Sequence, residues 1–316
     1  MVSNNNMNYF ISCDWGTTSF RIRLVEKGTL KVLAASSNSE GIAQMFNKWK
    51  SGEFPETERI NFYAEFLQHQ KKIIEQDFAS KLNDVPVIIS GMVSSTIGMI
   101  ELPYKNLPMN VDGREVLVEQ LQDGKLIIVS GVKTEDDVLR GEETMLIGCD
   151  IQQSPEEHVY IFPGTHSKHI YVEDGIASGF NTYMTGEMFE LLSIKSILSN
   201  SVAKPSEHEI AFRFFESGLE KAMKGAFLND VFSVRTNRLL KNVAERDNFE
   251  YLSGIVIGHE LKHLQHSSQK TITLVCNNQQ KERYAHALKF ICGEKEMAWK
   301  DADEALIRGH EIILEH

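Results

Sequence analysis

Short apolar runs that end in glycine or in an Asp-Gly turn recur along this chain, and stretches with apolar residues every three to four positions separate them. Tyr9 to Asp14 reads as a buried strand, Phe20 to Val25 alternates Arg21, Ile22, Arg23, Leu24 at the period of a strand, and Leu30 to Ala35 completes a meander. A helical stretch from Asn61 to Leu82 follows, then strands at Val85 to Ile89 and Leu126 to Val129, each running into a glycine, and a helical pattern from Glu142 to Ile151. The opening then recurs. Val159 to Phe162 ends in Pro163-Gly164-Thr165-His166-Ser167-Lys168, His169 to Val172 starts a second strand, Asp174-Gly175 turns it, and Ile176 to Met184 supplies a third. The remainder is mainly helical (Gly186 to Leu198, Glu207 to Lys224, Tyr251 to His266, Gln279 to Phe290, Asp301 to Leu314), with a strand at Ile272 to Val275. Gly16 and Gly164 stand 148 residues apart, about one lobe, so duplication is expected, with lobes at residues 1–152 and 153–316 and the last helix returning to the first.

Composition narrows the function. Thirty-three basic against 44 acidic residues leave a net charge of −11 with no dense Lys/Arg run, which argues against a nucleic-acid scaffold. A small anion remains an acceptable ligand, because backbone N–H groups and a few placed cations act locally. No apolar run approaches the roughly 20 residues of a membrane span, and Met1-Val2-Ser3-Asn4-Asn5-Asn6 lacks the basic and apolar regions of an export signal. Cys13, Cys149, Cys276 and Cys292 form no Cys-x-x-Cys pair and read as reduced thiols, which points to the cytoplasm. Scattered apolar surface leaves a homo-oligomer open.

The two Gly-Thr turns carry the candidate chemistry. Glycine lets backbone approach a ligand, successive N–H groups form a nest for an anion, and threonine hydroxyls add donors without charge. Gly16, Thr17 and Thr18 in the first turn, with Arg21, and Gly164, Thr165, His166 and Lys168 in the second, are phosphate-binding candidates. Asp14 at the mouth of the first is a candidate Mg²⁺ ligand, directly or through water. Ordinary turn composition explains either one alone. P-loop, Rossmann and protein-kinase signatures are absent.

Asp14-Trp15-Gly16-Thr17-Thr18, Gly91-Met92-Val93-Ser94-Ser95, Arg140-Gly141-Glu142-Glu143-Thr144 with Ile147-Gly148, Phe162 to Lys168, Met184-Thr185-Gly186-Glu187, and Leu252-Ser253-Gly254 with Ile257-Gly258 occur in this order. Together they resemble the motifs of 2-dehydro-3-deoxygalactonokinases, from residue 9 to about 310. The resemblance implies an α/β, two-lobed actin-like ATPase (ribonuclease H-like) fold, each lobe a mixed sheet flanked by helices. It also implies transfer of phosphate from ATP, with Mg²⁺, to the 6-hydroxyl of a sugar acid. Two departures stand out: Asn277-Asn278 follows a strand where the family's adenosine segment has glycine, and Ser94 stands where glycine is frequent.

Glu142 and Glu143 open a helix at a place resembling that of the superfamily's catalytic carboxylate, so one of them is expected to accept the hydroxyl proton, with Asp136 and Asp137 as fallback bases. The competing explanation is that acidic residues suit a helix's first turn. Arg140 suits a substrate carboxylate, or alternatively an ion pair with Asp136 or Asp137. Gly91, Met92, Ser94 and Ser95, after a strand's C-terminal end, are substrate-side candidates or a tight turn.

His259-Glu260-Leu261-Lys262-His263 is a literal His-Glu-x-x-His, the zinc-hydrolase helix motif, without a clear third ligand. Its plainer reading is a half-buried helix end. A kinase for another sugar or sugar acid, a zinc hydrolase and a non-catalytic ATP-binding relative are the alternatives.

Overall fold

In the computed structural model, residues 8–205, 210–293 and 295–316 are described, so the leader reading at Met1 to Asn6 and the start of the helix expected from Glu207 lie outside the described residues. Two compact units emerge: residues 1–153, 175–179 and 302–316 form the first, and residues 154–174 and 180–301 the second.

In the first unit, β1 (Tyr9–Trp15), β2 (Phe20–Glu26) and β3 (Val32–Asn38) form the expected meander, the third strand starting later because Leu30 takes a left-handed turn. After α1 (Ile42–Ser51) and α2 (Arg59–Phe78) come β4 (Val87–Gly91), β5 (Lys105–Asn106), β6 (Met109–Asn110), β7 (Val118–Leu121), β8 (Leu126–Val129), β9 (Val132–Lys133), β10 (Val138–Leu139) and α3 (Glu142–Ile147). The main sheet runs β3-β2-β1-β4-β8-β7; β4 is parallel to β1 and to β8, and β2 is antiparallel to β1. β5, β9 and β10 make a small second sheet.

The second unit contains β11 (His158–Phe162), β12 (Ser167–Glu173), most of β13 (Ile176–Tyr183), α4 (Thr185–Glu190), α5 (Phe212–Lys224), α6 (Phe227–Lys241), α7 (Glu245–Leu261), β14 (Thr271–Val275), α8 (Asn278–Cys292) and β15 (Glu296–Lys300). Its strands run β13-β12-β11-β14-β15, with β12 antiparallel to β11 and β14 parallel to both β11 and β15. Counting from each unit's first strand, both sheets share the order third, second, first, fourth; the next place is taken by β8 in the first, with β7 outside it, and by β15 in the second. The closing helix α9 (Ala302–Leu314) belongs to the first unit.

Each unit has its own apolar core. Trp15, Phe20, Tyr63, Leu67 and Ile89 pack between sheet and helices in the first; Val159, Phe215, Leu261, Ile272 and Leu288 do so in the second. A fully buried side chain of this size contributes roughly 1.5–3 kcal/mol, so Trp15 anchors the turn that follows it. Its ring stacks on Phe66 at 5.2 Å and its indole N–H donates to the Glu40 carbonyl at 3.0 Å. Two motifs used in the resemblance prove to be helix contacts. Side chains at Gly218 and Gly254 would collide with the backbone of the facing helix, which lets α5 and α7 approach closely; Gly148 and Gly309 do the same for α3 and α9.

The expected helix from Gly186 to Leu198 is instead α4, a π-turn over Leu191–Lys195 and a 3-10 turn over Ile197–Ser201. The helix expected through His266 stops at Leu261, and α3 stops at Ile147 because Gly148 lies against α9.

Candidate active site

Trp15 ends β1 with its side chain in the core, so the chain must turn at once. The Gly16 N–H closes that turn on the Ser19 carbonyl at 2.9 Å. The Gly16 and Thr17 carbonyls point backwards and accept from Ile42 and Ala43, the first N–H groups of α1, at 2.9 and 3.1 Å. Gly41 makes this docking possible, since a Cβ there would lie 2.4 Å from the Thr17 oxygen. With the carbonyls taken, Thr17 and Thr18 are exposed, and among the described residues their N–H and hydroxyl groups donate to no protein acceptor.

The second turn is built the same way. The Glu187 N–H in α4 donates to the Thr165 carbonyl at 3.0 Å, and a Cβ on Gly186 would sit 2.5 Å from the Gly164 oxygen. Thr165 and His166 are exposed at the tip, with His166 Nε2 2.5 Å from Glu187 Oε2. Lys168 does not reach the tip: it is buried in β12 and its ammonium donates to Thr182 Oγ1 at 2.6 Å. Gln280 of α8 donates to the Pro163 carbonyl at 3.3 Å, and Asn277 caps α8 through the Gln280 N–H at 3.1 Å, so the departure at Asn277 is a helix cap.

Around the first turn stand the charged groups. Arg21 donates to Asp14 Oδ2 at 2.8 Å; burial nevertheless raises the Asp14 carboxyl above its ordinary range. Asp14 Oδ1 accepts no hydrogen bond among the described residues and lies 3.6 Å from where a Cβ on Gly91 would be. Gly91 is required at its position: φ is +97° and a Cβ would meet the Trp15 oxygen at 2.8 Å. Gly91 in turn lies against Gly141, which opens α3.

The two glutamates differ. Glu142 is half-buried and caps the Arg140 N–H at 3.1 Å. Glu143 is buried; its Oε2 accepts the Gly141 N–H at 2.7 Å and its Oε1 the Thr144 hydroxyl at 2.9 Å. Burial first, then the neighbouring Glu142 charge, push its carboxyl up to about 7.

Arg140 pairs with neither Asp136 nor Asp137. Nε donates to the Tyr104 hydroxyl at 3.1 Å, one Nη to Ser94 Oγ at 2.6 Å and the other to the Leu102 carbonyl at 3.4 Å, with the guanidinium 4.1 Å from the Tyr104 ring centre. Three of its five N–H groups are thereby used, and the fork is held with donors to spare. Ser94 is thus an arginine anchor; Ser95 turns inward to the Met92 carbonyl at 2.7 Å. Asp136 and Asp137 line an open hollow of about 750 Å³ with Asn106, Lys133 and Thr134.

The His-Glu-x-x-His residues are spent on packing. His259 Nε2 lies 2.8 Å from Asp230 Oδ2, Glu260 is buried between His169 at 2.9 Å and the Tyr284 hydroxyl at 2.7 Å, and His263 lies beyond the end of α7, stacked on Tyr183. Among the described residues no group of three His, Cys, Asp or Glu side chains is placed to hold a metal ion. Sequence reasoning missed Tyr104, Ser12, Ser90 and His310; no pattern marks them, since hydroxyls in apolar strands and a histidine in an amphipathic helix look like filler.

The twin strand order, each copy opening on an exposed Gly-Thr turn stapled to a helix, defines an actin-like ATPase fold of the sugar-kinase kind. The model of the 2-keto-3-deoxy-galactonokinase family matches residues 14–312, and the chain belongs to that family. It is 32% identical over 263 residues to a 2-dehydro-3-deoxygalactonokinase relative from Rhizobium meliloti (strain 1021), covering 80% of this chain and 79% of the relative. It is 27% identical over 306 residues to the 2-dehydro-3-deoxygalactonokinase of Escherichia coli (strain K12), covering 95% and 96%. A solved structure from Sinorhizobium meliloti with the same kinase description superposes with a TM-score of 0.81 at 27% identity, covering 97% of this chain and 96% of that one. The protein is therefore a kinase that transfers phosphate to an alcohol.

Proposed function

We propose that the protein transfers the γ-phosphoryl group of ATP to the 6-hydroxyl of 2-dehydro-3-deoxy-D-galactonate, with Glu143 as the base. The observation that carries the assignment is the Glu143 carboxyl, buried, held by two donors and raised to about 7, beside the glycine-lined junction of Asp14, Gly91 and Gly141. A base titrating near neutral pH combines availability with proton affinity. Glu142, capping the Arg140 N–H, is the weaker candidate.

Phosphoryl transfer needs positioning and charge stabilisation more than covalent chemistry. Thr17 and Thr18, and likewise Thr165 and His166, offer donors to phosphate oxygens, Gly16 and Gly164 close their turns on Ser19 and Ser167, and Lys168 stiffens the second hairpin through Thr182. Arg140, held by Ser94 and Tyr104, presents its remaining donors to the substrate carboxylate. Asp14 fits a Mg²⁺ that keeps most of its waters, since one carboxylate oxygen is tied to Arg21 and the other accepts no protein hydrogen bond among the described residues. When bound, the ion would neutralise charge on the transferring phosphate. Glu143 takes the hydroxyl proton as the oxygen attacks phosphorus.

Among the described residues no helix is long and apolar enough to cross a membrane. The four cysteines are free, and we place the protein in the cytoplasm, acting on small molecules without nucleic acid. The test is Mg²⁺-dependent ADP release from ATP with 2-dehydro-3-deoxy-D-galactonate, its gluconate epimer, hexoses and no sugar in parallel. Selective turnover on the galactonate is expected; absence of turnover on every sugar acid contradicts the proposal.

A further inference from the structure

Behind Glu143 lies a buried chain of polar groups from four elements. Thr144 Oγ1 is 2.7 Å from Ser90 Oγ on β4; Ser90 Oγ is 2.9 Å from His310 Nε2 on α9; His310 Nδ1 is 2.8 Å from Ser12 Oγ on β1. Ser12, Ser90, Thr144 and His310 are all 0% exposed to solvent. Gly309 seats the histidine, since a Cβ there would lie 1.9 Å from the Thr144 carbonyl oxygen.

The direction of every bond follows from one end. Thr144 donates to Glu143 Oε1, so its oxygen accepts from Ser90; Ser90 has then given its proton and accepts from His310 Nε2–H; a neutral imidazole leaves Nδ1 to accept from Ser12. Burial, with Arg23 nearby, lowers the His310 pKa to about 3, so the ring is neutral as this chain requires.

We propose that His310, acting through Ser90 and Thr144, is a positioning residue that fixes the Glu143 carboxylate in its ionised form and orientation, so that the C-terminal helix governs the base. This rests on Glu143 being the base. The charged groups around the chain are Glu142 on α3, Asp14 and Arg21 at the end of β1 and beginning of β2, and Arg23 with its partner Asp303 near His310. None of these is removed by the substitutions below.

The experiment is the pH profile of kcat for Ser90→Ala, His310→Gln, Thr144→Val and Thr144→Ser, with melting temperatures alongside. Thr144→Val removes the hydroxyl that donates to the carboxylate, and Ser90→Ala removes the group that supports that hydroxyl, so the acid limb is expected to move up by about 0.5–1 pH unit in both, with kcat about tenfold lower at neutral pH. Thr144→Ser, which keeps the hydroxyl, restores the wild-type limb. An unmoved acid limb in folded Ser90→Ala and Thr144→Val overturns the proposal, whatever kcat does. Isotope-edited infrared titration of the Glu143 carboxyl in the same variants separates the two assignments. A normal kcat in Glu143→Gln sinks the base, whereas a carboxyl titration unmoved by Ser90→Ala sinks the relay.

Discussion

Each unit of the chain carries a buried hydroxyl, imidazole and carboxylate network beneath its Gly-Thr turn, and the two networks differ in where the carboxylate sits. In the first unit the donors run from Ser12 through His310, Ser90 and Thr144 and end on Glu143, whose other oxygen takes the Gly141 N–H. In the second, Glu260 lies in the middle, with one oxygen on His169 and the other on Tyr284, whose hydroxyl is 3.2 Å from Ser167 Oγ. A carboxylate at the end of a chain retains an accepting lone pair for a substrate proton. One enclosed by two side-chain donors is a structural tie. The two units share a strand order, and the proposed proton chemistry needs only the first unit's carboxylate.

The shared part of the comparison is the easiest to break. Gly41→Ala and Gly186→Ala each force a Cβ into turn backbone, so both are expected to destabilise by about 3 kcal/mol or more. Denaturant midpoints check this, and a neutral outcome at either site would show that the turns are not stapled alike. Next come the sites that the first unit alone possesses. Arg140→Ala removes a charge-assisted fork worth about 1.5–3 kcal/mol, so KM for the sugar acid should rise about 10–100-fold with kcat little changed; steady-state kinetics decide. On the other side, Glu260→Gln should lower stability by about 1–3 kcal/mol through mispaired His169 and Tyr284, while the kcat of the folded fraction stays within about twofold. A large fall in that kcat would erase the asymmetry.

A smaller effect is the pH dependence of stability. The Glu143 carboxyl is raised from 4.5 unfolded to about 7 folded, so the folded state holds its proton longer and stability falls as pH rises through that window. Glu143→Gln should flatten this fall and be about 1–2 kcal/mol more stable than wild type above pH 7. Thermal melts between pH 5 and 8 measure it. Smallest is Asn277→Ala, an N-cap loss of about 1 kcal/mol confined to α8.

Much of the fold was legible because it is written in periodicity. The meander, the repeated opening and the strands near Val87 and Leu126 follow from apolar runs ending in turns. α1 escaped notice because its buried face is only Ile42, Met45 and Trp49 among Gln44, Asn47, Lys48 and Lys50, and α6 because it buries Asp230 and Asn237 alongside its valines. β15 shows mainly exposed residues, so no alternation marks it. At the site, the turns and the Glu-Glu pair were visible as motifs. Which glutamate is buried depends on the contact of α3 with α9, and the partners of Arg140 depend on Tyr104, 36 residues away. Those facts come from tertiary packing, which no local pattern encodes.

The most direct test of a proton-accepting carboxylate confined to the first unit is ADP release with 2-dehydro-3-deoxy-D-galactonate for wild type, Glu143→Gln and Glu142→Gln, at equal folded fraction and saturating substrates. A loss of about 10²–10⁴-fold in kcat for Glu143→Gln, with Glu142→Gln within about tenfold of wild type, is the predicted result. Near-normal kcat for Glu143→Gln would contradict it.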